Sequence, residues 1–271
     1  MEEGLPEALG HGDMPVASVV YGPVPSWRLG RSLGIDLLST DGKTCSFDCT
    51  YCQLGPTIHP ATERAEFVPL QRLTAELEAV RDVEADYATF SGVGEPTLAA
   101  NLGEAISIAR AVLRLPIAVL TNSSLMPQDD VRRDLAGADV VVAKLDAPGE
   151  SVFREINRPV GGGYSFDEIV EGITSLRRDY GGRLALQMMF VEANKGCAAE
   201  MARIARVVSP DEVQLNTPLR PCGVAPLGPS EMAAIRGHFT GPNVVEVYQA
   251  PVTEVAALDA VETLRRRPGK R

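Results

Sequence analysis

From residue 33 onward, short apolar runs alternate with longer stretches in which apolar positions recur every three or four residues. The run Leu33–Leu38 is compact and uninterrupted and predicts a buried strand. After it, Leu70, Leu73, Leu77 and Val80 fall at helical spacing and predict a helix over 69–82. The alternation then repeats. Strands are predicted over 86–91, 116–120, 138–145, 183–191 and 212–215, with helices over 102–113, 129–135, 150–156, 166–178, 198–208 and 230–239. A strand over 244–248 and a helix over 253–265 complete the pattern. Residues 1–15 are rich in Gly, Pro and charge and predict a loose surface segment. Tyr21–Arg31 contains two prolines and two glycines and predicts an irregular segment, either a packed entry loop or a lid.

Six strands alternating with helices predict right-handed crossovers and a parallel sheet, either an open doubly wound sheet or an incomplete barrel. Both place functional loops at the C-terminal strand ends. Those ends carry polar residues throughout. They are a cysteine loop, Gly92-Val93-Gly94-Glu95-Pro96, Thr121-Asn122, Lys144-Leu145-Asp146, the strand end holding Gln187, and Asn216-Thr217-Pro218.

The loop after the first strand runs Cys45-Ser46-Phe47-Asp48-Cys49-Thr50-Tyr51-Cys52, a C-x3-C-x2-C spacing. Three thiolates on one loop suit a four-iron cluster whose fourth iron has no protein ligand and is open to chemistry. Zinc would ask for a fourth ligand, and Cys197 and Cys222 stand apart as small buried residues. Asp48 reads as a loop cap, and Glu95 as an acceptor for an ammonium group. A lysine in the run Val140–Lys144 is costly to bury alone. Lys144 therefore faces a wet cavity or pairs with Asp146 or Glu95; Schiff-base chemistry is the remaining option. Arg158 and Arg220 read as anion clamps or salt-bridge partners, with Asn157 beside Arg158, and His59 as a surface histidine near the cluster loop.

Composition narrows the partners. The chain has 271 residues and a net charge of −10, which repels nucleic-acid phosphates on average and favours a small molecule or peptide as substrate. Five cysteines, three of them clustered, do not form a disulfide framework and point to a reducing compartment. With no signal pattern and no apolar run near the ~20 residues of a membrane span, the expectation is a cytoplasmic protein with no membrane partner. The basic stretch Arg265–Arg271 reads as a solvated, frayed end.

The cysteine motif, the aromatic Tyr51 before its last cysteine and Gly94-Glu95-Pro96 after the second strand together resemble the radical S-adenosylmethionine (radical SAM) superfamily. Further pieces resemble its wyosine-biosynthesis-like branch: Tyr21-Gly22-Pro23-Val24-Pro25-Ser26, Arg28–Ile35, Ser91–Thr97, Leu120-Thr121-Asn122, Leu145-Asp146-Ala147, Ile156–Pro159 and Asn216–Pro221. The resemblance implies one domain over residues 1–271, an α/β partial (β/α)6 TIM-like barrel over about 20–220 with a C-terminal βα extension over 221–271. It implies a [4Fe–4S] cluster on Cys45, Cys49 and Cys52, with S-adenosylmethionine on the open iron. Gly94 and Glu95 would meet the methionyl amine and Tyr51 the adenine, with Gly92 also at the cofactor. Asn122, Lys144, Asp146, Gln187 and Asn216 would face the same cofactor, with Lys144 standing where the family often has Ser. Lys144 and Arg158 are the candidate catalytic residues.

The implied activity is reductive cleavage of S-adenosylmethionine to a 5′-deoxyadenosyl radical that abstracts a substrate hydrogen, driven by an external one-electron reductant of flavodoxin or ferredoxin type. Three alternatives stand beside it: tRNA base modification of the wyosine type, transfer of a 3-amino-3-carboxypropyl group, and a non-catalytic iron–sulfur or S-adenosylmethionine-binding role in assembly or electron transfer. No cysteine precedes Cys45, whereas the wyosine branch carries extra upstream cysteines.

Overall fold

The computed structural model describes residues 18–241, 243–250, 254–267 and 269. The segment 1–15, Thr253 and, in the basic stretch, Pro268, Lys270 and Arg271 lie outside them.

Eight strands form one sheet in the order β1-β2-β5-β6-β7-β8-β9-β10. Six of them are β2 (Gly30–Ile35), β5 (Tyr87–Phe90), β6 (Ile117–Thr121), β7 (Val140–Lys144), β8 (Arg183–Met189) and β9 (Glu212–Asn216), all parallel. Helices α1 (Leu70–Ala79), α2 (Leu102–Leu113), α3 (Asp129–Leu135), α4 (Glu150–Ile156), α5 (Phe166–Asp179) and α6 (Ala198–Val208) connect them. Helix α7 (Pro229–Arg236) leads to β10 (Val244–Glu246), which adds a seventh parallel strand. The end strands do not pair with each other, so the sheet is an open, curled half-barrel.

Period-two packing explains why the central strands read as unbroken apolar runs. Val141 and Ala143 join the main core beneath the helices, while Val140 and Val142 join Ala118 and Ala185 on the opposite face. Both faces are buried, as parallel strands require.

The N-terminal segment departs from expectation. Tyr21–Arg31 belongs to an antiparallel hairpin of β1 (Val20–Ser26) with β2. Its prolines hid the strand, but β1 is an edge strand, where a missing N–H is tolerated. Leu29 at the hairpin tip packs against Ala118, Val140, Val142 and Ala185, so the tip plugs the half-barrel.

The C-terminal extension also differs. The last helix, α8 (Ala260–Arg266), starts later than predicted because Asp259 caps it, accepting from Val261 N at 2.8 Å and Glu262 N at 3.0 Å. Arg266 is no frayed tail. Its side chain is fully buried and pairs through Nε with Asp36 Oδ2 at 2.8 Å, with its guanidinium 5.1 Å from the Tyr21 ring. Burial pulls this guanidinium down, but Asp36 and Glu262 outweigh that and leave it raised.

Candidate active site

The cysteine loop begins in a two-residue strand, β3 (Thr44–Cys45), paired with β4 (His59–Pro60). Two sets of backbone bonds hold it. On one side Thr44 N donates to the Val93 carbonyl at 3.0 Å and Glu95 N to the Thr44 carbonyl at 3.2 Å. On the other, Asp48 N reaches the Arg158 carbonyl at 3.0 Å, Thr50 N the Ile156 carbonyl at 2.9 Å, and Val160 N the Ser46 carbonyl at 2.9 Å. Phe47 anchors the loop, its ring 5.3 Å from Phe153 and 5.6 Å from Tyr164. Asp48 caps as predicted, accepting from Thr57 N at 2.7 Å. His59 is exposed and donates from Nε2 to the Asp41 carbonyl at 2.7 Å.

Gly94 is set by contact. A Cβ there would lie 1.6 Å from the Thr44 carbonyl oxygen, and one at Gly92 would lie 2.1 Å from the Asp36 carboxyl carbon. Gly94→Ala is therefore expected to push the cysteine loop off the β5 strand end at a cost of about 1–3 kcal/mol or more. Urea unfolding and iron content per chain measure the effect; a variant with wild-type stability and iron loading would refute it.

Burial pushes the Cys45 thiol up to about 12 and also raises Cys49. Such thiols lose their protons on binding metal. Lys43 was not singled out from the sequence. Its buried ammonium has no hydrogen-bond partner. Burial pulls it down, but Cys52, Cys45 and Cys49 around it outweigh that and leave it raised. Its one carboxylate neighbour, Asp48 Oδ1, stands 3.9 Å away, and a buried cation held so loosely beside three thiols fits a site built for negative charge. Among the described residues, no three His, Cys, Asp or Glu side chains converge on a single metal ion. A four-iron cluster asks for something different, one thiolate on each of three irons.

Around the thiols stand two polar networks. In the first, Asn122 Nδ2 donates to Cys45 Sγ at 3.5 Å and to Ser46 Oγ at 2.9 Å. Its N–H donates to Glu95 Oε2 at 2.6 Å, and Glu95 Oε1 accepts from Thr97 N and the hydroxyls of Thr97 and Thr121. The Glu95 carboxylate thus takes four bonds from its own chain and ties β5 to β6. Burial raises it, and these bonds pull it back only in part.

In the second network Asp146 is the hub. Its Oδ2 accepts from the Tyr51 hydroxyl and, at 3.1 Å, from Asn157 Nδ2. Oδ1 accepts from Met189 N at 2.7 Å. Asn157 Nδ2 also lies 2.9 Å from the Tyr51 oxygen and 3.6 Å from Cys49 Sγ. Burial, reinforced by Asp146, pushes the Tyr51 phenol well above its usual value and keeps it a donor. Lys144 sits 3.4 Å from Asp146 Oδ2 with Nζ 4.6 Å from the Tyr51 ring centre. The paired reading of Lys144 therefore holds over the wet-cavity one. The gap beside it is about 10 Å³, close to one water.

The remaining candidates separate. Gly92, Gln187 and Asn216 line a larger cavity of about 360 Å³ in the half-barrel, which reaches Gln53 and Leu54 beside the cysteine motif. Arg158 is exposed and forms no ion pair among the described residues. Its carbonyl, not its guanidinium, holds the loop. Cys222 bonds the Val224 carbonyl at 3.2 Å, and Val224 packs in a small cluster with Tyr51. Asn194 was missed. It is fully buried and donates to the Asp146 and Met189 carbonyls at 2.8 Å each. No spacing marks it, since Met189 closes β8 five residues earlier while Asp146 follows β7, 48 residues away.

A half-barrel presenting three thiols at its C-terminal strand ends defines a class, and the chain belongs to the radical SAM superfamily: the family model of that description matches residues 40–201. Particular relatives are UPF0026 proteins. That of Synechocystis sp. is 38% identical over 241 residues, covering 89% of this chain and 87% of the relative. That of Methanocaldococcus jannaschii is 39% identical over 211 residues, covering 75% of this chain and 64% of the relative. A solved structure, native anSMEcpe with bound AdoMet, superposes with a TM-score of 0.56 at 14% identity, covering 80% of this chain and 64% of that one. At that identity the likeness is one of fold.

Proposed function

We propose that the chain is a radical SAM enzyme. Cys45, Cys49 and Cys52 would hold a [4Fe–4S] cluster, which when bound supplies the electron for reductive cleavage of S-adenosylmethionine to a 5′-deoxyadenosyl radical. The observation that carries this is the buried Lys43 ammonium, without a hydrogen bond and 3.9 Å from Asp48, set among three thiols on a loop whose next residues, Gln53 and Leu54, line a 360 Å³ cavity. Asn122 and Asn157 direct amide donors at Cys45 and Cys49, and such bonds to ligand sulfur tune a cluster's potential. Asp146 holds Tyr51 and Lys144 in one orientation beside the loop. Gly92, Gln187 and Asn216 offer the cavity wall on which S-adenosylmethionine and the substrate would meet.

An external one-electron reductant of flavodoxin or ferredoxin type fits a chain with three cluster cysteines and no second such set. Among the described residues no helix is long and apolar enough to cross a membrane. A wyosine-type reaction on tRNA has the motif resemblance behind it, but the net charge of −10 weighs against it.

Anaerobically reconstituted protein should bind about four irons and, with dithionite and S-adenosylmethionine, release 5′-deoxyadenosine. Methylthioadenosine in its place would assign 3-amino-3-carboxypropyl transfer. Loaded protein that binds S-adenosylmethionine without cleaving it would assign the non-catalytic role.

A further inference from the structure

Four arginines line the 360 Å³ cavity; Arg266 is paired with Asp36, and the other three come from three parts of the chain. Arg28 comes from the hairpin tip, Arg220 from the loop after β9, and Arg267 from the end of α8. Among the described residues none of them forms an ion pair. Nε of Arg28 and Nε of Arg220 are buried without a hydrogen-bond partner. Each arginine is nevertheless held. The Arg28 guanidinium lies 4.9 Å from the Trp27 ring centre, Arg220 donates to Gln53 Oε1 at 3.4 Å, and Arg267 donates to the Pro25 carbonyl. The carboxylates nearby are committed elsewhere or stand off. Asp36 is paired with Arg266, and Glu212 attracts Arg28 without reaching ion-pair distance.

The three crowd one another. Burial, then repulsion from Arg220, brings Arg28 down to about 10. Burial, then Arg220 and Arg28, brings Arg267 down to about 9. A fold gathers like charges in a cavity at a cost in stability, and an anion removes that cost.

We propose that this cavity binds a small organic substrate through a phosphate or diphosphate group held by Arg28, Arg220 and Arg267. The assignment rests on the radical SAM reading for what happens to the substrate, and on the cavity alone for what binds. A lone carboxylate would cancel one of three charges, whereas a phosphoryl group carries close to two and offers three acceptor oxygens that suit guanidinium forks. Trp27, Leu120 and Met189 give the rest of the molecule an apolar wall. The arginines are inside the half-barrel, while the chain as a whole carries −10. That arrangement admits a small anion and repels an extended polyanion.

Inorganic pyrophosphate is the probe, titrated calorimetrically into the cluster-loaded protein, with orthophosphate and citrate as comparisons. Pyrophosphate should bind at one site and raise the melting temperature. Arg28→Gln and Arg220→Gln should each weaken it roughly tenfold to a hundredfold, the worth of one charge-assisted bond. Arg220→Lys should lose less, and the exposed control Arg81→Gln nothing. Without pyrophosphate, Arg220→Gln should melt no lower than wild type, which separates lost binding from lost folding.

Equal binding by the Gln variants, no binding by wild type, or tighter binding of citrate than of pyrophosphate would overturn the proposal. So would an Arg220→Gln variant that loses S-adenosylmethionine as steeply as pyrophosphate, since the arginines would then serve the cofactor. Release of 5′-deoxyadenosine is read on the same samples. Its absence with pyrophosphate binding intact would defeat the radical reading and leave the anion site standing.

Discussion

Cys49→Ala should leave the chain folded and abolish its chemistry. Iron loading should fall to a partial, unstable complement, and 5′-deoxyadenosine release by roughly a hundredfold or more. Even the partner of a metal ligand typically matters 10–100-fold, and here a ligand itself is removed. The fold should survive because the loop is held by its backbone. Asp48 N and Thr50 N on either side of Cys49 are bonded to the carbonyls of Arg158 and Ile156, and Phe47 remains packed against Phe153 and Tyr164. Iron analysis, far-ultraviolet circular dichroism and chromatography of the reaction products check the three parts. A Cys49→Ala protein that still formed 5′-deoxyadenosine at the wild-type rate would end the proposal.

Arg266→Ala should cost about 3–5 kcal/mol of stability, the usual penalty for stranding one partner of a buried ion pair. Both side chains are inaccessible. The Asp36 carboxylate left behind also accepts from Leu38 N at 3.2 Å, Ser39 N at 3.1 Å and Val93 N at 3.3 Å. It therefore joins the end of β2 to the Gly92–Glu95 turn, and α8 secures that joint from the far end of the chain. Urea unfolding gives the cost. Arg266→Met combined with Asp36→Leu should recover much of it, because no charge is then left buried alone. A loss below about 1 kcal/mol, the scale of an exposed pair, would show that α8 does not hold the site.

Both predictions involve the same strand ends, yet they were unequally legible. The cysteine loop is visible because its three ligands are neighbours in the chain, and cluster chemistry dictates their spacing. Helices α2, α3, α4 and α6 are visible at their residue boundaries because helix periodicity and capping are local. The strand β1 was not. Gly22, Pro23 and Pro25 look like a loop, and only the pairing with β2 shows an edge strand that tolerates them. For Lys144 the sequence leaves a wet cavity and a carboxylate partner both open, and the pairing with Asp146 rather than Glu95 depended on Glu95 being filled by Thr97, Thr121 and Asn122. Arg266 looked like part of a solvated tail, since nothing near it in the chain announces Asp36.

The sequence by itself determined the alternating β/α order, the three-thiol loop at the first parallel strand and the glycine turn that receives it. Each of these depends on residues close together in the chain, where spacing and backbone geometry act directly. Only the tertiary structure decided that Lys43 is buried among the thiols without a hydrogen bond, that the hairpin tip plugs the half-barrel with Leu29, and that Arg28, Arg220 and Arg267 share one cavity. Those depend on electrostatics and packing between segments as far apart in the chain as Arg28 and Arg267, and such forces become specific only once the sheet has curled and brought them together.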